Sequence, residues 1–293
     1  MQKLRGTGVA IVTPFFADHR IDFNALGAIV DHIIKGKCEY IVVLGTTGES
    51  VTLSKDEKQE VFSFVLNHAK KRIGLVAGVG GNNTSEVVSQ LSNFNLEGYD
   101  AILSVSPYYN KPSQEGIYQH FITLAANSPL PIILYNVPSR TMSNMTVETT
   151  LRLANASEKI IGIKEASGNL QQMMHIVKNR PKGFLVISGD DPVTVPCISF
   201  GMDGVISVAA NAFPKETSRM VRAALSGKFS LAEKDHFHLL TITELMFAEG
   251  NPPGVKEILT QLNLCEPYVR LPLTTVSDSL KEKIKLEMES MRS

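Results

Sequence analysis

The sequence predicts an α/β fold, a closed (β/α)8 barrel followed by a small all-helical C-terminal region, on three observations. Short apolar runs recur eight times between residues 8 and 208, helix signatures separate them, and the strand signal then stops. Eight alternating strands and helices suit a barrel of about 250 residues.

GVAIV (8–12), YIVVL (40–44), GLVAGV (74–79) and AILSV (101–105) are apolar without alternation, as buried parallel strands are. PIILY (131–135), IIGIK (160–164), FLVIS (184–188) and GVISV (204–208) complete the set. After the first run, Asp22 precedes Leu26, Ile29, Val30, Ile33 and Ile34 at helical spacing, and Gly36 marks a stop. Ser54 and Glu57 stand at capping-box spacing ahead of the next helix. Asn169 precedes Leu170, Met173, Met174 and Val177, methionines that read as core rather than as a ligand box. An open doubly wound sheet is the competing architecture. Its dinucleotide fingerprint is poor here, because GVGGNN (78–83) lacks the final glycine and the alternation continues through an eighth strand. From about residue 214 the chain reads as helical to its end, punctuated by NPPG (251–254). The expected division is a barrel carrying the active site over 1–225 and a helical region over 226–293.

With 43% hydrophobic and 20% charged residues, the composition is that of an ordinary globular protein. Its 29 basic residues balance 29 acidic ones, so no charge excess draws nucleic acid or an anionic membrane, and small-molecule partners are expected. Cys38, Cys197 and Cys265 are odd in number and far apart, which fits reduced thiols in a cytoplasmic protein better than disulfides or a zinc ribbon. The opening MQKLRGTGVAIVTPFF imitates a signal peptide, but Pro14 breaks it and Asp18 follows without a cleavage site. No run is long enough to span a membrane.

In a barrel the active site forms at the C-terminal ends of the strands. That rule gathers Thr13, GTTGES (45–50), SPYYNKP (106–112), Tyr135 with NVPSR, Lys164, Ser188 with GDD, and Ser207 at one mouth. Metal chemistry needs histidines there, and none of the seven histidines falls at a strand end. Asp190 and Asp191 are read as a helix cap. Lys164 is the singular residue. A lysine at a strand end commonly runs its stem along apolar surface and leaves its ammonium in water. In a dry barrel mouth, however, desolvation favours the neutral amine, which can attack a ketone to form a Schiff base with no metal or organic cofactor. Tyr135, on the preceding strand, is placed to move protons or is simply a rim aromatic. GTTGES offers two hydroxyls and convergent backbone N–H groups for an anion, or only a tight turn. Arg140 can hold a carboxylate by paired hydrogen bonds, or lie solvated on the surface.

GTTGES, SPYYNKPSQEG, YNVPSRT, IIGIKEASGN, SGDD and GMDGVISVAAN, in that order, resemble the dihydrodipicolinate synthase family of pyruvate-dependent lysine aldolases over essentially the whole chain. The resemblance implies condensation of pyruvate with aspartate 4-semialdehyde, toward diaminopimelate and lysine. It implies Lys164 as the imine-forming residue and Tyr135, Thr46 and Tyr109 as a proton relay, with Tyr109 reaching in from a neighbouring subunit. Thr46 and Thr47 would hold the pyruvate carboxylate and Arg140 that of the semialdehyde, while Gly189 and Ile206 line the lysine pocket through their backbones. A homo-oligomer follows, the family's usual form being a tetramer built as a dimer of dimers. Glu165, on the opposite face of the strand, is expected to be structural.

The nearest alternative is a sialic acid lyase or sugar-acid aldolase using the same imine; Arg140 and the pair Tyr108 and Tyr109 argue against it. A barrel that has lost catalysis and acts as a binding protein would show a broken lysine, tyrosine or threonine, and none is broken. Lysine-inhibited family members often bind lysine through residues matched here by Ser50, Asn82, Glu86 and Tyr108. Two nearby positions that often carry histidine in those members hold Lys55 and Lys58, which predicts weak or absent inhibition if both face that pocket.

Overall fold

A computed structural model describes residues 2–291 and shows a closed parallel barrel of eight strands in the order β1 to β8. The first half runs β1 (Gly6–Ala10), α1 (Phe23–Lys35), β2 (Tyr40–Val43), α2 (Lys55–Ala69), β3 (Gly74–Gly78), α3 (Thr84–Asn93), β4 (Ala101–Val105) and α4 (Gln114–Asn127). The second half runs β5 (Ile132–Asn136), α5 (Pro138–Thr141), α6 (Val147–Ala156), β6 (Ile160–Glu165), α7 (Leu170–Asn179), β7 (Leu185–Ser188), α8 (Thr194–Ser199), β8 (Gly204–Ser207) and α9 (Pro214–Leu225). Three helices follow: α10 (Phe229–Phe247), α11 (Pro253–Gln261) and α12 (Asp278–Ser290). Among the described residues no helix is long and apolar enough to cross a membrane.

The helix starts obey local chemistry. Asp22 accepts from Ala25 N at 2.9 Å, Asn169 accepts from Gln172 N at 3.0 Å, and Ser54 and Glu57 form the full capping box. Of the two methionines expected in the α7 core, Met173 is fully buried but Met174 is 45% exposed.

Strand residues divide between two apolar layers. Ile41, Val43, Leu75, Ala77, Ile102 and Leu134 pack outward against the helices, whereas Tyr40, Val42, Val76, Leu103 and Ile133 fill the barrel interior. The first strand lies two residues earlier than its apolar run. Gly6–Val9 pair with β8, and the tail of the run leaves the ladder where Asn211 Oδ1 accepts from Val12 N at 3.1 Å.

One irregularity aims the site. Ile132 pairs with Ile160 but Ile133 pairs with Gly162, so β6 carries an extra residue, Ile161, at a bulge. Ile161 and Gly162 therefore face inward in succession; a Cβ at Gly162 would lie 2.8 Å from Leu185 Cβ, which leaves room only for glycine. After the bulge Ile163 turns outward and Lys164 inward.

The expectation of helix from residue 214 to the chain end fails between α11 and α12. Pro267 and Pro272 have no N–H to give a helix, and the Tyr268 carbonyl and Arg270 N–H are spent on Lys256 and Glu49. This extended segment reaches back to the loop after β2.

Candidate active site

Among the described residues two lysines are buried, and they differ in what surrounds the ammonium. Lys256 is fully buried and donates to Glu49 Oε1 at 2.5 Å and to the Tyr268 carbonyl at 2.7 Å. Lys164 is 5% exposed, yet among the described residues no hydrogen bond or ion pair holds its Nζ, which lies 4.4 Å from the centroid of the Tyr135 ring. Buried charges are normally paired. A buried lysine whose ammonium no hydrogen bond or ion pair holds is a candidate for chemistry.

Register explains the Tyr135 contact. Tyr135 and Lys164 are ladder partners on β5 and β6, so both side chains leave the barrel interior at the same height. On the other side, a Cβ added to Gly189 would lie 2.9 Å from Lys164 Cε, so glycine is what lets the lysine stem lie against the end of β7. Ile206 is fully buried in the same inner layer as Tyr135 and Ile187.

The outward-facing partners one step further on, Asn136 and Glu165, brace this pair from behind. The buried Glu165 carboxylate accepts from Asn136 Nδ2 at 3.0 Å, Gln172 Nε2 at 3.1 Å and Ser167 N at 2.8 Å. Burial pushes its pKa up, and those donors oppose the shift. Glu165 is structural, as its place on the strand implied.

The two aspartates do not act as the helix cap expected of them. Neither side chain accepts from the first turn that follows. Asp191 instead reaches across to β8, where its carboxylate takes Ser207 Oγ and the N–H groups of Val208 and Ala209. Burial raises the pKa of both aspartates, and the positive charge of Lys164 opposes this. A cap was the local solution; the strand end beside it holds more donors.

Above the strand ends lies a cavity of about 270 Å³ that Thr46, Ser50, Lys58, Tyr108, Tyr135 and Arg140 line together. Arg140, in the short helix α5, is exposed, and among the described residues its guanidinium has no ionic partner. Lys58 turns into the cavity and Lys55 does not. Burial pulls the Lys58 pKa down while nearby Glu86 pushes it up. Asn82 stays outside the lining and donates to the Tyr108 carbonyl at 3.2 Å. Tyr109 is apart from all of these: 88% exposed, with φ at 72°, an uncommon conformation for an aromatic residue. Among the described residues no three His, Cys, Asp or Glu side chains gather as they would to hold a metal ion.

The GTTGES loop is held by residues that the sequence did not single out. Leu44, just before the loop, and Glu49, within it, lie in the left-handed region, each at a cost on the order of 1–3 kcal/mol that persists only where tertiary contacts impose it. Those contacts come from the C-terminal region. Asn251 Nδ2 donates to Thr47 Oγ1 at 3.0 Å, Lys256 pairs with Glu49, and Arg270 N donates to Glu49 Oε2 at 2.9 Å. The Arg270 guanidinium also grips Glu57, holding its pKa down to about 2. NPPG read as punctuation, and nothing local marked Lys256 as buried.

Residues 3–291 match the model of the dihydrodipicolinate synthetase family. A relative from Flavobacterium psychrophilum, 52% identical over 98% of both chains, is a 4-hydroxy-tetrahydrodipicolinate synthase. The crystal structure of the dihydrodipicolinate synthase from Aquifex aeolicus is 40% identical with a TM-score of 0.95, covering 99% of this chain and 98% of its own. A chloride-inhibited dihydrodipicolinate synthase from Acinetobacter baumannii, solved in complex with pyruvate, is 36% identical with a TM-score of 0.96 over 99% of both chains.

Proposed function

The chain belongs to the dihydrodipicolinate synthetase family, and we infer that it condenses pyruvate with aspartate 4-semialdehyde to 4-hydroxy-tetrahydrodipicolinate, a step toward diaminopimelate and lysine. The observation that carries this reading is the buried Lys164, held by no hydrogen bond or ion pair among the described residues, in register with Tyr135. As the free amine, Lys164 Nζ adds to the pyruvate carbonyl carbon, and water leaves with the carbonyl oxygen to give the imine. The methyl carbon then gives up a proton to the relay, and the electron pair it leaves behind is drawn into the protonated imine to give an enamine. Its electron pair adds to the aldehyde carbon of the second substrate, whose oxygen takes up a proton. The amine of that substrate displaces Nζ, closing the ring and freeing the lysine.

In this reading Tyr135, Thr46 and a neighbour's Tyr109 relay the protons. Thr46 and Thr47 hold the pyruvate carboxylate, and the backbones at Gly189 and Ile206 shape the lysine pocket. The catalytic barrel falls within residues 1–225, and Asn251, Lys256 and Arg270 of the region after it buttress the loop after β2; the division at 225/226 is the one the sequence suggests, 226–293 being the helical region. Tyr109, Met142 and Val51 are 88%, 67% and 80% exposed, which supports a subunit contact beside the cavity and a homo-oligomer, with a dimer of dimers as the expected form. The buried free thiols Cys38 and Cys197 suit the reducing cytoplasm. Purified protein should consume both substrates in a condensation assay. Cleavage of a sialic or sugar acid without condensation would transfer it to the alternative aldolases.

Arg140 supplies the free guanidinium for the second substrate's carboxylate. Arg140→Ala should lower kcat/KM for condensation by about 1.5–3 kcal/mol, the worth of a charge-assisted hydrogen bond, while the pyruvate imine still forms. Equal loss of imine formation would show that Arg140 supports the pocket generally.

Lys58 places a positive charge at the cavity wall, toward any ligand bearing a side-chain ammonium. Like charges about 4 Å apart repel by roughly 1 kcal/mol in water and about 4 at an intermediate dielectric. Weak or absent inhibition by lysine is therefore expected, and Lys58→Gln should strengthen it. Strong inhibition of the native enzyme in a steady-state lysine titration would show that the Lys58 charge is neutralised, with Glu86 the nearest candidate.

A further inference from the structure

We infer that Asn251, on the turn between α10 and α11, is a positioning residue that sets the direction of the Thr47 hydroxyl and so gives the C-terminal region a part in binding the first substrate. The inference rests on the reading of Thr47 as a partner of the pyruvate carboxylate.

A threonine hydroxyl has one proton to give and two lone pairs to receive with. Thr47 is 2% exposed, so solvent does not choose its direction. Asn251 Nδ2 occupies a lone pair of Thr47 Oγ1 at 3.0 Å, and the hydroxyl proton is left to point elsewhere. A carboxylate, which only accepts, is the complement to that arrangement.

The amide has no competing duty. Asn251 is 7% exposed, its Oδ1 is buried without a partner among the described residues, and its side chain does not cap α11. A group needed only to fill this space would be apolar, because an orphaned buried acceptor destabilises the fold. Two residues beyond Thr47, the buried contacts of Glu49 with Lys256 Nζ and Arg270 N fix the other end of the turn. The loop is thus gripped at two points by residues more than 200 positions away, and Asn251 is the one that touches a hydroxyl assigned to substrate.

The experiment is a double-mutant cycle on the full-length enzyme with Asn251→Ala, Thr47→Val and their combination. Two readouts are used: KM for pyruvate, and the pyruvate concentration that half-saturates borohydride trapping at Lys164. Each single variant should raise both by roughly tenfold, with KM rising more than kcat falls, and the combination should be no worse than Thr47→Val alone. Asn251→Asp, nearly isosteric and only an acceptor when ionised, should raise both readouts further by drawing the Thr47 proton away from substrate; it decides the matter if the alanine variant does not fold. Full additivity, or unchanged pyruvate saturation in both Asn251 variants, would overturn the inference. If Thr47→Val itself leaves pyruvate saturation unchanged, the carboxylate role of Thr47 falls, and the role of Asn251 falls with it.

Discussion

Lys164→Ala is expected to lower turnover by roughly a thousandfold or more, the scale on which a covalent nucleophile is missed, while the barrel stays folded. The two halves of this expectation have one cause. Among the described residues no ion pair or hydrogen bond holds the Lys164 ammonium, so truncation breaks none, and the space left opens toward the mouth between Tyr135 and Gly189. Borohydride added with pyruvate should fix a permanent mass on the native protein at Lys164 and none on the variant, since only an imine is reducible there. Labelling at another lysine would move the chemistry away from β6. No labelling at all, in a protein that still turns over, would remove the imine from the mechanism.

Much of this site was legible because a barrel converts strand order into geometry. Once eight apolar runs are counted, the residues that end them must meet at one mouth, and the adjacency of Tyr135 and Lys164 follows from consecutive parallel strands. The inward aim of Lys164 was less secure. Strict alternation counted from Ile161, an inward residue, would turn Lys164 outward, and only the extra residue at the bulge restores it. Gly162 was the visible trace of that bulge, since glycine inside an otherwise β-branched run marks a crowded backbone.

What stayed hidden depends on contacts across long stretches of chain. Asp191 looked like a cap because capping is a local pattern, whereas its donors lie on the next strand. Asn251 and Lys256 meet Thr47 and Glu49 across 204 and 207 residues, and no periodicity reports such a pairing. Lys256 sits in α11, where lysine ordinarily faces water.

That buried lysine yields the second large effect, on stability. Lys256 and Glu49 are both buried away from solvent, joined at 2.5 Å, with the ammonium also 4.2 Å from the Phe15 ring centroid. Burial pulls the Lys256 pKa down, and the Glu49 carboxylate is the main influence holding it up. Lys256→Met keeps most of the stem's volume but leaves Glu49 with the Arg270 N–H as its one hydrogen-bond donor among the described residues, and breaking a buried pair by removing one partner costs about 3–5 kcal/mol. The midpoint of thermal unfolding should fall by on the order of 10 °C. Glu49→Gln made together with Lys256→Met removes both charges, and a pair removed whole often costs little. The double variant should therefore recover most of the lost stability, with a coupling well above the few tenths of a kcal/mol expected of independent sites. A single variant as stable as the native protein would mean that Glu49 reaches water or takes a proton once its partner is gone. A double variant no better than the single would place the cost in packing against Phe15 rather than in charge.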